Sequence, residues 1–227
     1  MSKIWFITGA ARGIGAAIGK AALAAGDSVI VTGRRREAVE QTFGADNDRV
    51  LSLALDVTRE DRALAVVEAA VARFGRIDVL VNNAGYGVLG FFEETTDAEA
   101  RAQYDTNLFG VLNVTRAVLP VMRRRRSGRI FNISSLGGIV GSRTGSLYCV
   151  SKFAVEGFSE ALADEVACFG IQVSIVEPGF IRTDFLDQTS ARYSSRGVED
   201  YAEASAQLRR DYASHNHNQA GDPAKLA

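Results

Sequence analysis

Over its first 180 residues the chain alternates short β-rich runs with longer stretches of helical periodicity, and few folds accept that order. The runs lie at residues 4–8, 28–32, 50–57, 77–81, 129–133 and 172–176, and several, such as Val29-Ile30-Val31 and Val79-Leu80-Val81, are apolar without a break. An unbroken apolar run suits a strand covered by helices on both faces, whereas a half-exposed strand alternates polar and apolar positions. The pattern therefore predicts an α/β protein: a doubly wound parallel sheet in three layers, α/β/α. A chain of 227 residues buries about 70% of its extended surface on folding, enough for one large core, so residues 1–227 are read as a single domain.

Capping residues place the helices. Thr58, followed by Asp61, is expected to open a helix whose Leu64, Val67, Val71 and Phe74 recur at helical spacing, with Gly75 as its stop. Thr96 with Glu99 forms a capping box for a long helix with Pro120 near its far end. A third helix is predicted over about residues 147–169, stopped by Gly170. Beyond Pro178-Gly179 the pattern weakens, and residues 181–220, polar with a short helical stretch near 198–212, are expected to form a lid over a site.

Composition narrows the function. Twenty-six basic against 27 acidic residues give a net charge of -1 and no global field for polyanions, so no nucleic-acid partner is expected. With 47% hydrophobic and 23% charged residues, disorder is excluded, and no run is long enough to span a membrane. Cys149 and Cys168 make no disulfide framework, and the start Met-Ser-Lys-Ile-Trp-Phe lacks the apolar run of a secretion signal, so a cytoplasmic protein acting on small molecules is expected.

Thr8-Gly9-Ala10-Ala11-Arg12-Gly13-Ile14-Gly15 directly follows the first strand and leads into a helix. Glycines there permit positive φ and close approach of backbone to a pyrophosphate, whose charge the helix N-terminus stabilises. In a dinucleotide site an acidic residue at the end of the second strand would bind the adenosine ribose; here that strand ends Gly33-Arg34-Arg35-Arg36. Guanidinium groups in that place suit a 2′-phosphate, and Arg12 stands in reach of it, so NADP(H) is favoured over NAD(H).

Tyr148 and Lys152 stand four residues apart on the third helix, on one face. A cation there is expected to favour phenolate and lower the tyrosine pKa, making Tyr148 a general acid or base for a carbonyl or alcohol oxygen. The fifth strand ends Asn132-Ile133-Ser134-Ser135, at the carboxyl edge where ligands of open α/β sheets bind, and a serine there can hydrogen-bond the reacting oxygen.

Taken in order, the Gly-rich turn, Asp56-Val57, Asn82-Asn83-Ala84-Gly85, Asn107, Ser135 thirteen residues before Tyr148, Lys152 and Pro178-Gly179 resemble the short-chain dehydrogenase/reductases in their compact one-domain form, over residues 3 to about 185. The resemblance implies a Rossmann-like fold and an oxidoreductase. It makes Tyr148 the proton donor or acceptor and Ser135 the residue that orients the substrate oxygen. Lys152 would lower the tyrosine pKa and bind the nicotinamide ribose, and Asn107 would hold a water in a proton relay. Gly9, Arg12, Gly13, Ile14 and Gly15 would cradle the diphosphate, with Arg34 and Arg35 at the adenosine end. Asp56 and Val57 would contact adenine, Asn83, Ala84 and Gly85 would line the cofactor, and Pro178, Gly179, Ile181 and Thr183 would lie at the carboxamide. Members usually form homodimers or homotetramers and continue with another helix and a seventh strand. This sequence stops at Pro223-Ala224-Lys225-Leu226-Ala227, so the expectation is a six-stranded sheet or a chain cut short.

Other features receive simpler readings. Arg123, Arg124, Arg125 and Arg126 are expected to solvate a helix end, His215 and His217 to sit in a polar loop with no metal, and Cys149 to pack. Tyr86, Phe91, Phe92, Phe185 and Leu186 would make the substrate side apolar, although core packing explains Phe91 or Phe92 equally well. The function expected is hydride transfer between NADP(H) and a carbonyl or secondary alcohol of a small, fairly apolar substrate. One alternative is a catalytically silent NADP(H)-binding regulator, which has no use for the Asn-Ser-Tyr-Lys set. Another is a methyltransferase, which needs the acidic residue that Gly33-Arg34 does not supply.

Overall fold

The computed structural model describes residues 2–187 and 190–227. Its parallel sheet contains β1 (Ile4–Ile7), β2 (Ser28–Gly33), β3 (Val50–Ala54) and β4 (Val79–Asn82), then, after a short β5 (Gly87–Leu89), β6 (Gly128–Ile133) and β7 (Ile171–Val176). The six strands lie in the order β3-β2-β1-β4-β6-β7, with β5 paired to β8 (Ala191–Tyr193) in a separate two-stranded ribbon. Winding reverses between β1 and β4, where Phe6 pairs with Leu80 on one side and Ile30 on the other.

Successive residues of each strand enter different cores, which is why the strands read as unbroken apolar runs. Phe6, Ile30, Leu80 and Ile130 pack under α3 (Glu60–Phe74), α5 (Gly110–Arg125) and α6 (Ser146–Ala167), while Ile7, Val29, Val31, Val79 and Val81 pack under α1 (Gly13–Ala24) and α2 (Arg36–Phe43). Full burial of each such side chain contributes about 1.5–3 kcal/mol.

Some boundaries differ from the sequence expectation. β3 ends at Ala54, because Asp56 turns the chain by accepting bonds from Thr58 N at 3.1 Å and Thr58 Oγ1 at 2.8 Å. Thr58 is thereby drawn away from the cap position, and α3 starts at Glu60 behind Arg59. Its inward stripe is Ala63, Val66, Val67 and Ala70, whereas Leu64 is 48% exposed; Gly75, with φ 75°, ends it as expected. The Thr96–Glu99 capping box is present at α4 (Asp97–Tyr104). The long helix is interrupted by a π turn, Asp105–Phe109, before it continues as α5. At that junction Gly110 is crowded, since a Cβ there would lie 2.6 Å from Val57 Cγ2.

The segment 181–220, of which 188–189 lie outside the described residues, is more ordered than its composition suggests. It holds a short turn at Asp184–Leu186, strand β8, a turn at Glu199–Tyr201 and helix α7 (Ala202–His215). A last turn, α8 (Pro223–Leu226), is capped by Asp222 and packs against α1. Among the described residues no helix is long and apolar enough to cross a membrane.

Candidate active site

The exits of β1 and β4 are bolted together by hydrogen bonds. Thr8 Oγ1 accepts from the backbone of Asn83 at 2.9 Å and Ala84 at 3.0 Å, and Asn83 Nδ2 donates to Thr8 O at 2.9 Å and Gly9 O at 3.0 Å. The glycines fit this junction: Gly9 has φ 64° and a Cβ there would lie 2.9 Å from Ala84 Cα, while a Cβ at Gly15 would lie 2.5 Å from Asn83 Nδ2. Gly13, φ 57°, differs in having an open side, where a Cβ would meet only Thr183, at 3.5 Å. Gly13 begins α1, and Ile14 follows it. Arg12 reaches across to Ser190 Oγ at 2.5 Å, in the segment after Pro178-Gly179. A cavity of about 660 Å³ runs from this turn along α1, past Thr183 and Arg182 to Pro223, and does not include Tyr148.

At the β2 exit, Arg34 and Arg35 are exposed, the latter as the cap residue of α2. The sequence placed Arg36 with them. It is instead engaged along α2, pairing with Glu40 and Asp46 at 2.7 Å each, because helical spacing puts a carboxylate four residues on within its reach. Asp56 is exposed at the β3 exit; Val57 is buried and its carbonyl accepts from Asn113 Nδ2 at 3.0 Å.

Asn107, Ser135, Tyr148 and Lys152 come together at the carboxyl ends of β4 and β6. The π turn aims Asn107 inward, where Oδ1 accepts from Tyr86 N at 3.0 Å and Nδ2 donates to Tyr86 O at 2.9 Å and Ser151 Oγ at 3.1 Å. Ser151 Oγ donates in turn to Tyr148 O at 2.7 Å. Lys152 Nζ donates to Ile133 O at 2.7 Å and lies 5.8 Å from the centroid of the Tyr148 ring. Gly85 faces the same point, since a Cβ there would sit 3.2 Å from Asn107 Oδ1 and 3.8 Å from Lys152 Nζ. Ser135 is hydrogen-bonded to the Tyr148 side chain and accepts from Gly137 N at 3.1 Å. The next backbone amide, Leu136 N, donates to Pro178 O at 3.1 Å, tying the β6 and β7 exits together. Gly179 is exposed, Ile181 bridges to Gly221, and Thr183 Oγ1 accepts from Phe185 N at 3.3 Å.

The electrostatics depart from the sequence expectation in one respect. Burial pushes the Tyr148 phenol up to about 12, with the Ser135 hydrogen bond opposing the rise, where the neighbouring ammonium was expected to lower it. Burial likewise drives the Lys152 amine down to about 8, against the pull of the Glu156 carboxylate. In both groups the loss of hydration of the charged form is the largest cause of the shift.

On the far side of Tyr148, Phe185 packs edge-on at 5.7 Å between ring centroids, and a Cβ at Gly87 would touch both rings. Phe91 stacks on Tyr201 at 4.5 Å under the Arg143 guanidinium, so it fastens residues 190–215 to the body of the protein, and Phe92 is 70% exposed. Cys149 is buried near Ser142, consistent with packing. Asp184, Asp187 and His217 offer atoms within 4.8 Å of one another, and within the group Asp187 Oδ1 accepts from Asn216 and His217. Sequence reasoning missed Ser151 and Gln103. The latter is fully buried and donates to Tyr86 O at 3.1 Å; its place one turn before Asn107 was the signal.

Comparison with known proteins identifies the family. The family model described as short chain dehydrogenase matches residues 3–194. Oxidoreductase BOA17 of Botryotinia fuckeliana is 49% identical over 188 residues, covering 82% of this chain and 68% of that protein. The 3-ketodihydrosphingosine reductase of Bacteroides thetaiotaomicron is 42% identical over 202 residues, covering 89% of this chain and 72% of that protein. The crystal structure of a short-chain dehydrogenase from Streptomyces avermitilis superposes with a TM-score of 0.89 at 46% identity, covering all of this chain (100%) and 82% of that one. The chain is therefore a nucleotide-binding oxidoreductase and belongs to the short-chain dehydrogenase family.

Proposed function

We propose that this protein interconverts a carbonyl and a secondary alcohol on a small, fairly apolar substrate with NADP(H), and that Tyr148 is its general acid or base. The observation that carries the reading is the half-buried Tyr148–Ser135 pair beside the buried Lys152, with Asn107 and Ser151 bracing the backbone of Tyr148, at the carboxyl edge of the central strands. A neutral phenol here can donate its proton to a carbonyl oxygen that Ser135 orients, and the resulting phenolate can take a proton back from an alcohol. Lys152 holds positive charge next to the phenol, and Asn107 fixes the geometry of the relay.

The residues present suit a nicotinamide dinucleotide, which when bound supplies the hydride. The open side of Gly13, with Gly9, Ile14, Gly15 and Arg12 around it, would hold the diphosphate. Arg34 and Arg35, with no carboxylate beside them at the strand end, would take the 2′-phosphate. Asp56 and Val57 would flank adenine, and Asn83, Ala84 and Gly85 the middle of the cofactor. Tyr148 and Lys152 would reach the nicotinamide ribose, with Pro178, Gly179, Ile181 and Thr183 at the carboxamide. Residues 181–220 form the substrate lid, with Phe185 on Tyr148 supporting an apolar substrate; the ketone in the name of the Bacteroides relative's substrate agrees with carbonyl chemistry. Exposed Phe109, Val150 and Phe153, the last two on one face of α6, support a homodimer or homotetramer.

The test is Tyr148→Phe. Its turnover of ketones and aldehydes with NADPH, followed at the cofactor's absorbance, should fall by about 10²–10⁴ or more, while NADPH binding changes by less than about threefold, worth well under 1 kcal/mol. Turnover like that of the unaltered protein would reject the mechanism.

A further inference from the structure

One helical turn beyond Lys152 stands Glu156, on the same face of α6. Its Oε1 is sealed from solvent and has no hydrogen-bond partner among the described residues, and the same is true of Ser134 Oγ. The two oxygens are neighbours across a gap that Gly138 leaves: a Cβ there would lie 2.8 Å from Glu156 Oε1 and 2.6 Å from Ser134 Oγ. A buried carboxylate oxygen without a donor is costly, so its presence needs a compensating cation nearby.

Lys152 is a cation one helical turn away on the same helix. It is buried, and its one hydrogen bond to Ile133 O leaves it two further N–H groups. The groups facing it are Tyr148 and Glu156 from its own helix, Ile133 O from β6, Gly85 from the β4 exit and Asn107 from the π turn. Of these, Glu156 alone carries a charge opposite to the ammonium.

We propose that Glu156 is a positioning residue for Lys152: its half-buried carboxylate, with Oε1 turned inward, keeps the amine protonated beside Tyr148, and Gly138 is small so that the carboxylate can sit there. The direction of the electrostatics agrees, since burial alone lowers the proton affinity of Lys152 and Glu156 is the group that raises it. The inference rests on the reading of Tyr148 and Lys152 as reaction machinery, yet the charge state of Lys152 can be read with neither substrate nor cofactor.

The chain has four lysines, Lys3, Lys20, Lys152 and Lys225, so side-chain NMR of lysine-labelled protein resolves each, with Lys152 assigned by its loss in Lys152→Met. In Glu156→Gln the titration midpoint of Lys152 should drop by about one pH unit, the usual scale for losing one nearby opposite charge. In Glu156→Asp, which keeps the charge but withdraws it, the midpoint should fall between the two. If Glu156→Gln does not fold, Glu156→Asp decides alone: a lowered midpoint supports the proposal. A Lys152 midpoint unchanged in the folded variants overturns it. Failure of the unaltered protein to turn over any carbonyl with NADPH would sink the oxidoreductase mechanism instead, and would leave the NMR result standing.

Discussion

Burial moves the two central titratable groups in opposite directions, and each movement has a signature in stability. Lys152 titrates near 8 when folded against 10.5 when free, so between those values the unfolded chain holds a proton the folded one has released, and stability climbs with pH. Tyr148 titrates near 12 when folded against 10.0 when free, so in that upper window the folded chain keeps a proton the unfolded one has lost, and stability falls with pH. Urea unfolding should therefore show a midpoint that rises from pH 8 to about 10 and falls beyond it. Lys152→Met should flatten the rise and leave the fall, and a rise that persists in the variant would contradict the assignment. At the adenosine end, Arg34→Ala should weaken NADPH binding about tenfold or more, the scale of one charge-assisted hydrogen bond, and leave NADH binding nearly unchanged. Equal losses for both cofactors would remove the 2′-phosphate contact from the reading.

At the scale of elements, the α4–π–α5 segment shows how local chemistry positions a distant group. The Thr96 cap starts α4, the π turn shifts the register by one residue, and Asn107 points inward where a regular helix would carry it past the site. Thr96→Ala should cost about 1 kcal/mol of stability, measured by thermal unfolding, and no loss would mean that the cap is not what begins the helix. The six strands, the capping box and the Gly75 stop were legible because each depends on residues adjacent in sequence. The π turn was not, since Asp105-Thr106-Asn107-Leu108-Phe109 has no distinguishing composition, and the close approach of Gly110 to Val57 beside it joins residues more than fifty positions apart in sequence. Helix α7 was only half visible because its apolar residues are few, and it is held through Ser205 on Glu94 and through Arg209 over Tyr193 of β8. Arg36 was misplaced because three consecutive arginines look alike, while only the helix decides which one finds Glu40.

At the scale of the whole molecule, the site lies where the winding of the sheet reverses, and every catalytic candidate stands at a strand exit or on a helix that follows one. The apolar Val150 and Phe153 on the outward face of α6 lead to an expectation about assembly. Sedimentation should find a dimer or tetramer that Phe153→Glu dissociates, and a monomer at micromolar concentration would refute it. The thread from Arg12 to Ser190 spans 178 positions of sequence. During synthesis the glycine turn leaves the ribosome long before its last neighbour exists, so a nascent chain has most of its hydrophobic layers in place while the cleft still gapes.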